Sequence, residues 1–279
     1  MATKQSKVAV VTGGNKGVGF GIVRALCKNF EGDVILAARD EGRGMAAVEE
    51  LSKEGLHPKF HHLDILDHSS IVRLRDFLQS TYHGLDLLVN NVGIAYKMSS
   101  TAPFSEQAEM TCKTNYFATL DACEVLFPLL RPHARVCNVS STVCQWSLAK
   151  CSDVLKAKFT GTDITMDELT GIMKKFVESA QHNKHQEEGF SDSSYGMSKV
   201  GVTVMTMIQQ RDFDRRGADD IVVNACCPGY VDTDMSSHKG TLTIDEGAET
   251  PVYLALLPSN VKEPKGRFVK KKEISDWKI

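Results

Sequence analysis

The sequence predicts an α/β fold, a doubly wound parallel sheet, and three observations carry that prediction. Short apolar runs alternate with longer one-sided helical patterns along nearly all of the 279 residues. Most of the runs are near-continuous rather than alternating, as in parallel strands buried on both faces. The first run ends in the glycine turn TGGNKGVG, Thr12 to Gly19, where a strand passes into a helix.

Taken in order, the candidate strands are Lys7–Gly13, Asp33–Arg39, Lys59–Asp64, Leu85–Val92, Ala134–Ser141, Ile221–Pro228 and Gly266–Lys270. Helical patterns lie between them at Val18–Phe30, Glu41–Glu54, Ser69–Tyr82, Ser105–Leu130, Tyr195–Arg216 and Asp245–Leu257. Ile71, Leu74, Phe77 and Leu78 show the one-sided spacing of an amphipathic helix. Thr243-Ile-Asp-Glu246 reads as a capping box for the helix before the last strand. Repeated β–α alternation with no internal repeat and no Pro/Gly linker predicts one domain over 1–279. The alternation is interrupted once, at 148–194, by a polar insertion with a helix of its own. Thr165 and Glu168 cap that helix, and Leu169, Ile172, Met173, Phe176 and Val177 form its apolar stripe. Such an insertion reads as an excursion packed on the main fold and as a wall over a pocket, two roles that are compatible.

Composition narrows the function. Hydrophobic residues make up 42% of the chain, enough for a substantial core. The formal charge is −2, from 33 basic and 35 acidic residues. Lys270-Lys271-Lys272 is too short a basic run to imply nucleic acid, and no patch suggests an acidic membrane. The first apolar run breaks at Gly13-Gly14, too soon for a secretory leader, and no segment reaches membrane-spanning length. Eight scattered cysteines without a CxxC pair fit a reduced cytoplasmic protein rather than a disulfide framework or a zinc site. His182, His185 and Glu187 lie in a polar loop, and His61-His62 in a strand pattern; neither group forms a ligand set, so no metal is expected. Asn138-Val139-Ser140 matches a glycosylation sequon on a strand expected to be buried.

A strand, a glycine turn and a helix together can hold a dinucleotide pyrophosphate. Gly13 permits the tight turn, Gly17 allows close backbone approach, and Gly19 lets the helix pack on its strand, while the helix N-terminus offers free N–H groups. A second feature carries reaction chemistry. Tyr195-Gly-Met-Ser-Lys199 places a phenol and an ammonium four residues apart, on one helix face. An adjacent ammonium stabilises phenolate, so the spacing predicts a Tyr195 pKa below its ordinary value of about 10 and a role in proton transfer.

The order of motifs is more informative than either feature. TGGNKGVG is followed by Asn90-Asn91-Val92-Gly93, Lys113-Thr114-Asn115, Asn138-Val139-Ser140-Ser141, YGMSK and Cys227-Pro228-Gly229. From Val8 to about Phe268 this series resembles the short-chain dehydrogenase/reductase family, which has a Rossmann fold. The insertion before the tyrosine and the stretches YGMSKVGVTV, NACCPGYV and EGAETPVYLALLP resemble the family's cytosolic monomeric carbonyl reductases.

That resemblance implies roles. Tyr195 is the expected general acid for carbonyl reduction, and Lys199 lowers its pKa and hydrogen-bonds the nicotinamide ribose. Ser141 orients the carbonyl oxygen, whereas Ser140 is the better candidate for a strand-end serine bonded to backbone. Asn115 is expected at a helix irregularity, supporting a proton-relay water beside Lys199. Gly13, Asn15, Lys16, Gly17, Val18 and Gly19 hold the cofactor at the glycine turn. Asn91 and Gly93 do so at the fourth strand, with Val92 where alanine is usual. Asp64, followed by Ile65, contacts adenine; its alternative is a helix-capping aspartate. Pro228, Gly229, Val231 and Thr233 hold the nicotinamide end. Tyr96, Gln107, Val143, Trp146 and Tyr230, with Ser141, are the expected substrate contacts, Tyr230 replacing the relatives' usual tryptophan.

Cofactor choice follows from charge. A carboxylate ending the second strand would grip a ribose 2′-hydroxyl, as in NAD sites. Here that strand ends Ala37-Ala38-Arg39, and Lys16 lies in the glycine turn. Two cations suit a 2′-phosphate, so NADPH is expected, with Asp40 turned away. The expected reaction is reduction of quinones, aldehydes and ketones. A hydroxysteroid or prostaglandin dehydrogenase and a non-catalytic NADP(H)-binding regulator are the alternatives, the latter opposed by intact Ser141, Tyr195 and Lys199. Cys227 matches a reactive cysteine of members that recognise glutathione adducts; its other reading is an inert buried thiol. The insertion would cover a surface through which family members associate, which predicts a monomer.

Overall fold

The structure, a computed structural model, describes residues 6–97 and 99–277, so the ends of the predicted domain lie outside the described residues. Strands β1 (Val8–Thr12), β2 (Asp33–Ala38), β3 (Lys59–His62), β4 (Leu85–Asn90), β5 (Leu130–Val139), β6 (Val222–Cys227), β7 (Phe268–Lys270) and β8 (Glu273–Ile274) form one eight-stranded sheet. Their order is β3-β2-β1-β4-β5-β6-β7-β8; all neighbours are parallel except β7 and β8. The chain winds outward from β1 to β3, then returns to place β4 beside β1. That reversal opens a crevice at the carboxyl ends of β1 and β4, where doubly wound sheets bind ligands.

The continuous apolar runs are explained by burial on both faces. Along β1, Ala9 and Val11 pack into a core with Phe20, Ile22 and Leu26 of α1 (Gly17–Asn29). Val8 and Val10 point the other way, into a core with Ile71, Leu74 and Leu78 of α3 (His68–Tyr82). Polar caps delimit the helices. The Asp40 carboxylate accepts from Arg43 N at 2.8 Å to start α2 (Glu41–Lys53), and Asp67 accepts from Ser69 N at 3.0 Å to start α3. Thr243 and Glu246 form the predicted capping box of α10 (Ile244–Ala255).

Four boundaries differ from expectation. β3 stops at His62 because Asp64 turns back, its carboxylate accepting from Leu66 N at 3.0 Å. The pattern at Ser105–Leu130 is not one helix. It divides into α4 (Phe104–Thr111), a π-helical turn (Cys112–Phe117), α5 (Ala118–Leu126) and a 3₁₀ turn (Phe127–Leu129) containing Pro128, after which Leu130 already begins β5. The insertion holds two helices, α7 (Asp153–Thr160) and α8 (Met166–Gln181), and begins in the last turn of α6 (Val143–Lys150). α8 carries the predicted capping box and buries Leu169, Met173 and Phe176 against α4 and α9 (Ser194–Arg215). Finally, β8 is an unpredicted two-residue edge strand, too short and too exposed to leave an apolar signal.

Candidate active site

The glycine turn has the geometry its residues require. Gly13 and Gly17 adopt φ of +66° and +55°, in the left-handed region that favours glycine. A Cβ on Gly19 would lie 2.2 Å from the Gly13 carbonyl oxygen and 2.5 Å from Asn91 Nδ2. Asn91 is thus packed on the turn, and its Nδ2 donates to Thr12 O at 3.0 Å and Gly13 O at 3.2 Å. Thr12 Oγ1 accepts in return from Asn91 N at 3.0 Å and Val92 N at 3.2 Å. The larger Val92 is absorbed in the core beside α3. At the start of α1 no side chain caps the free N–H groups and no acidic residue occupies the first turn. Half-buried Asn15 and Val18 flank this helix start.

The reactive groups converge at the next crevice wall. Lys199 is 4% exposed; its Nζ donates to Val139 O at 2.7 Å and lies 5.7 Å from the Tyr195 ring centre. A Cβ on Gly93 would lie 3.4 Å from both Lys199 Nζ and Asn115 Oδ1, so the loop after β4 runs directly between them. Asn115 lies within the π-helical turn, the predicted irregularity. Its Oδ1 accepts from Ile94 N at 2.8 Å, and its Nδ2 donates to Ile94 O and Ser198 Oγ, both at 2.9 Å. The extra residue of a π turn is a common device at functional sites, and here it delivers that side chain to the loop. The Ser140 hydroxyl is buried, donating to Lys199 O at 3.1 Å and lying 2.7 Å from Thr203 Oγ1, as expected of the structural member of the pair. Ser141 lowers the pKa of the neighbouring Tyr195 phenol, and its Oγ accepts from Val143 N at 3.3 Å.

Protonation differs from expectation at Tyr195. Burial pushes the phenol up to about 12, outweighing the lowering by Ser141, while Cys227 and Cys144 push it further up. The nearby Lys199 ammonium leaves that net shift upward. Burial lowers the lysine itself to about 8, against the raising influence of Cys226, Cys144 and Cys227. The phenol is therefore protonated at neutral pH, and the lysine is the group closer to titration.

Other predicted residues are distributed along the same sheet edge. Arg39 is exposed at the end of β2, and Asp40, committed to capping α2, is turned away as expected. Asp64 caps its own turn, while Ile65 is buried beneath it. Val231 is buried and bridges to Leu242, and a Cβ on Gly17 would lie 3.2 Å from Thr233 Cγ2. Pro228 is half-buried and Gly229 exposed at φ +89°. Lys16 carries a partner the sequence did not reveal: its Nζ lies 2.6 Å from Asp234 Oδ2.

The substrate residues are less united. Tyr96 donates to Glu106 Oε1 at 3.1 Å and lines a cavity of about 410 Å³ with Ile94, Ala95, Lys97, Ser99 and Ser100. Gln107 is tied to Ala102 O at 2.9 Å, and Val143 is half-buried at the start of α6. Trp146 and Tyr230 are 62% and 52% exposed, and neither lines that cavity. Trp146 lies on α6 after β5, and Tyr230 on the segment after β6. A larger cavity, about 730 Å³, lies between α9 and the C-terminal tail and contains none of the predicted site residues.

Comparison with known proteins shows the family of the chain. The family model of the short chain dehydrogenases matches residues 7–167 and 176–241. The chain belongs to the short-chain dehydrogenase/reductase family. It is 55% identical over 271 residues to carbonyl reductase [NADPH] 1 of Bos taurus, covering 97% of this chain and 98% of that protein. Identity to carbonyl reductase [NADPH] 3 of Rattus norvegicus is 53% over 273 residues, covering 98% and 99%. Among solved structures, salutaridine reductase of Papaver somniferum superposes with a TM-score of 0.84 at 29% identity, covering 94% of this chain and 99% of that one.

Proposed function

We propose that this chain reduces the carbonyl group of small molecules to an alcohol with NADPH, using Tyr195 as the proton donor. The observation that carries this reading is the convergence of Tyr195, Ser141 and Lys199 beside Gly93, at the carboxyl edge of the sheet and next to the glycine turn. NADPH is supported by the relatives' printed names and by the fit of the chain's own residues. The uncapped α1 N-terminus and the glycine cradle suit a pyrophosphate, and Arg39 with Lys16 suits a 2′-phosphate.

Bound NADPH supplies the hydride for the carbonyl carbon. Ser141 holds the carbonyl oxygen toward the phenol, and Tyr195 gives that oxygen its proton. The high phenol pKa keeps the donor loaded at neutral pH, and the buried Lys199 ammonium stabilises the phenolate left behind. Both Nδ2 protons of Asn115 are committed to Ile94 and Ser198, so this residue serves the relay by fixing the loop at Gly93, not by donating to water.

Quinones, reactive aldehydes and ketones are the proposed substrates. Capture of glutathione adducts by Cys227 is the weaker reading. Its thiol is 5% exposed and accepts from Thr142 Oγ1 at 3.1 Å and Gly229 N at 3.4 Å. Eight free thiols support a reducing, cytoplasmic setting, and no helix among the described residues is long and apolar enough to cross a membrane. The packing of α8 over α4 and α9 supports a monomer. NADPH consumption with menadione tests the enzyme reading: turnover is expected, and cofactor binding without turnover would leave a regulatory protein in its place.

A further inference from the structure

We propose that Asp234 sets how strongly the cofactor mouth prefers a 2′-phosphorylated dinucleotide, by competing with that phosphate for Lys16. The inference rests on the reading of Lys16 as a phosphate ligand. Asp234 lies 218 residues from Lys16 in the chain, on the loop between Val231 and Leu242. That loop leans on the glycine turn through Thr233, whose methyl would lie 3.2 Å from a Cβ on Gly17. It is also braced internally, with Ser236 Oγ 3.1 Å from Thr233 N and His238 N donating to Thr233 O at 3.0 Å.

The carboxylate is held from two sides. Oδ2 meets the Lys16 ammonium at 2.6 Å, while Oδ1 lies 3.3 Å from His238 Nε2, whose other ring nitrogen is 2.8 Å from Asp232. The lysine holds the Asp234 carboxyl below its usual range, in keeping with a paired carboxylate. On the opposite side of the mouth, Asp40 is occupied at the start of α2. Asp234 is thus the carboxylate placed to cancel the lysine's field. A non-phosphorylated ribose gains little from that field, whereas a 2′-phosphate loses much of one of its two counter-charges. Both side chains are well exposed, 60% and 65%, so the pair is weak and screened by salt, as a competitor must be if the phosphate is to displace it.

The test is the dissociation constant of NADPH and of NADH, read by fluorescence titration of the full chain without carbonyl substrate. Asp234→Asn should tighten NADPH by about three- to fivefold at low salt, leave NADH unchanged, and lose its effect at high salt. Asp234→Ala serves as a second variant, with thermal unfolding to confirm the fold. In a Lys16→Ala background the Asp234 substitution should have no effect. If Lys16→Ala weakens NADPH but Asp234→Asn does not tighten it, the proposal falls and the Lys16 reading stands. If Lys16→Ala leaves NADPH affinity unchanged, the Lys16 reading itself falls and takes the proposal with it. Equal weakening of both nucleotides by Asp234→Asn would make the residue a loop clamp and overturn the proposal.

Discussion

The Lys199 ammonium lies 5.7 Å from the centre of the Tyr195 ring, yet the two groups titrate in an order opposite to the one their spacing suggests. Burial dominates both, raising the phenol to about 12 and lowering the ammonium to about 8. A lysine lowered in the fold loses its proton before the tyrosine does. Reductase kcat should therefore fall as pH rises through about 8, because the charge that stabilises the developing phenolate is lost there. A pH–rate profile with menadione checks this, and a profile flat through that region would remove Lys199 from the reaction.

Gly19 tests the cradle independently of the reaction. An alanine methyl would be forced to 2.2 Å from the Gly13 carbonyl oxygen, a backbone atom with little freedom to retreat. Gly19→Ala should weaken NADPH binding by at least about tenfold, corresponding to a lost or displaced phosphate hydrogen bond to the helix start. Titration of cofactor fluorescence reads the effect; unchanged affinity would place the pyrophosphate elsewhere.

At the opposite sheet edge, Asp220 predicts acid sensitivity. Its side chain is 8% exposed and lies 2.9 Å from Arg135 Nη2, itself 5% exposed. Burial raises this carboxyl, but the Asn260 N–H, His133 and Arg135 outweigh it and leave it at about 2. A carboxylate lowered from its ordinary 3.8 contributes stability that is present above that value and lost as pH falls through about 2. The loss amounts to about 2 kcal/mol. Denaturant unfolding at descending pH measures it. Asp220→Asn should abolish this part of the pH dependence while destabilising the protein near neutrality by about 3–5 kcal/mol, since Arg135 is left buried and unpaired.

Much of this was legible in the sequence, for identifiable reasons. β1, β2 and β6 are short runs buried on both faces, so nearly all their residues are apolar. Thr165 and Thr243 announce helix starts because a capping oxygen must come from a few residue types. The π turn at Cys112–Phe117 was invisible to periodicity, since one extra residue barely disturbs a helical pattern; only family likeness at Asn115 pointed to it. The Tyr195 pKa is not legible in the sequence, because spacing reveals a neighbouring charge but not the extent of desolvation. Asp234 was missed because a pair 218 residues apart depends on how two loops meet. The high exposure of Trp146 and Tyr230 is a property of packing that no motif encodes.

The most direct test is single-turnover and steady-state NADPH oxidation by Tyr195→Phe, with menadione as acceptor and NADPH affinity measured in parallel. The phenyl ring keeps the packing at the start of α9 and removes only the hydroxyl group. The account predicts turnover lower by about 10²–10⁴-fold with NADPH affinity unchanged. Turnover close to that of the unaltered protein would contradict it, because the carbonyl oxygen would then be receiving its proton from another group.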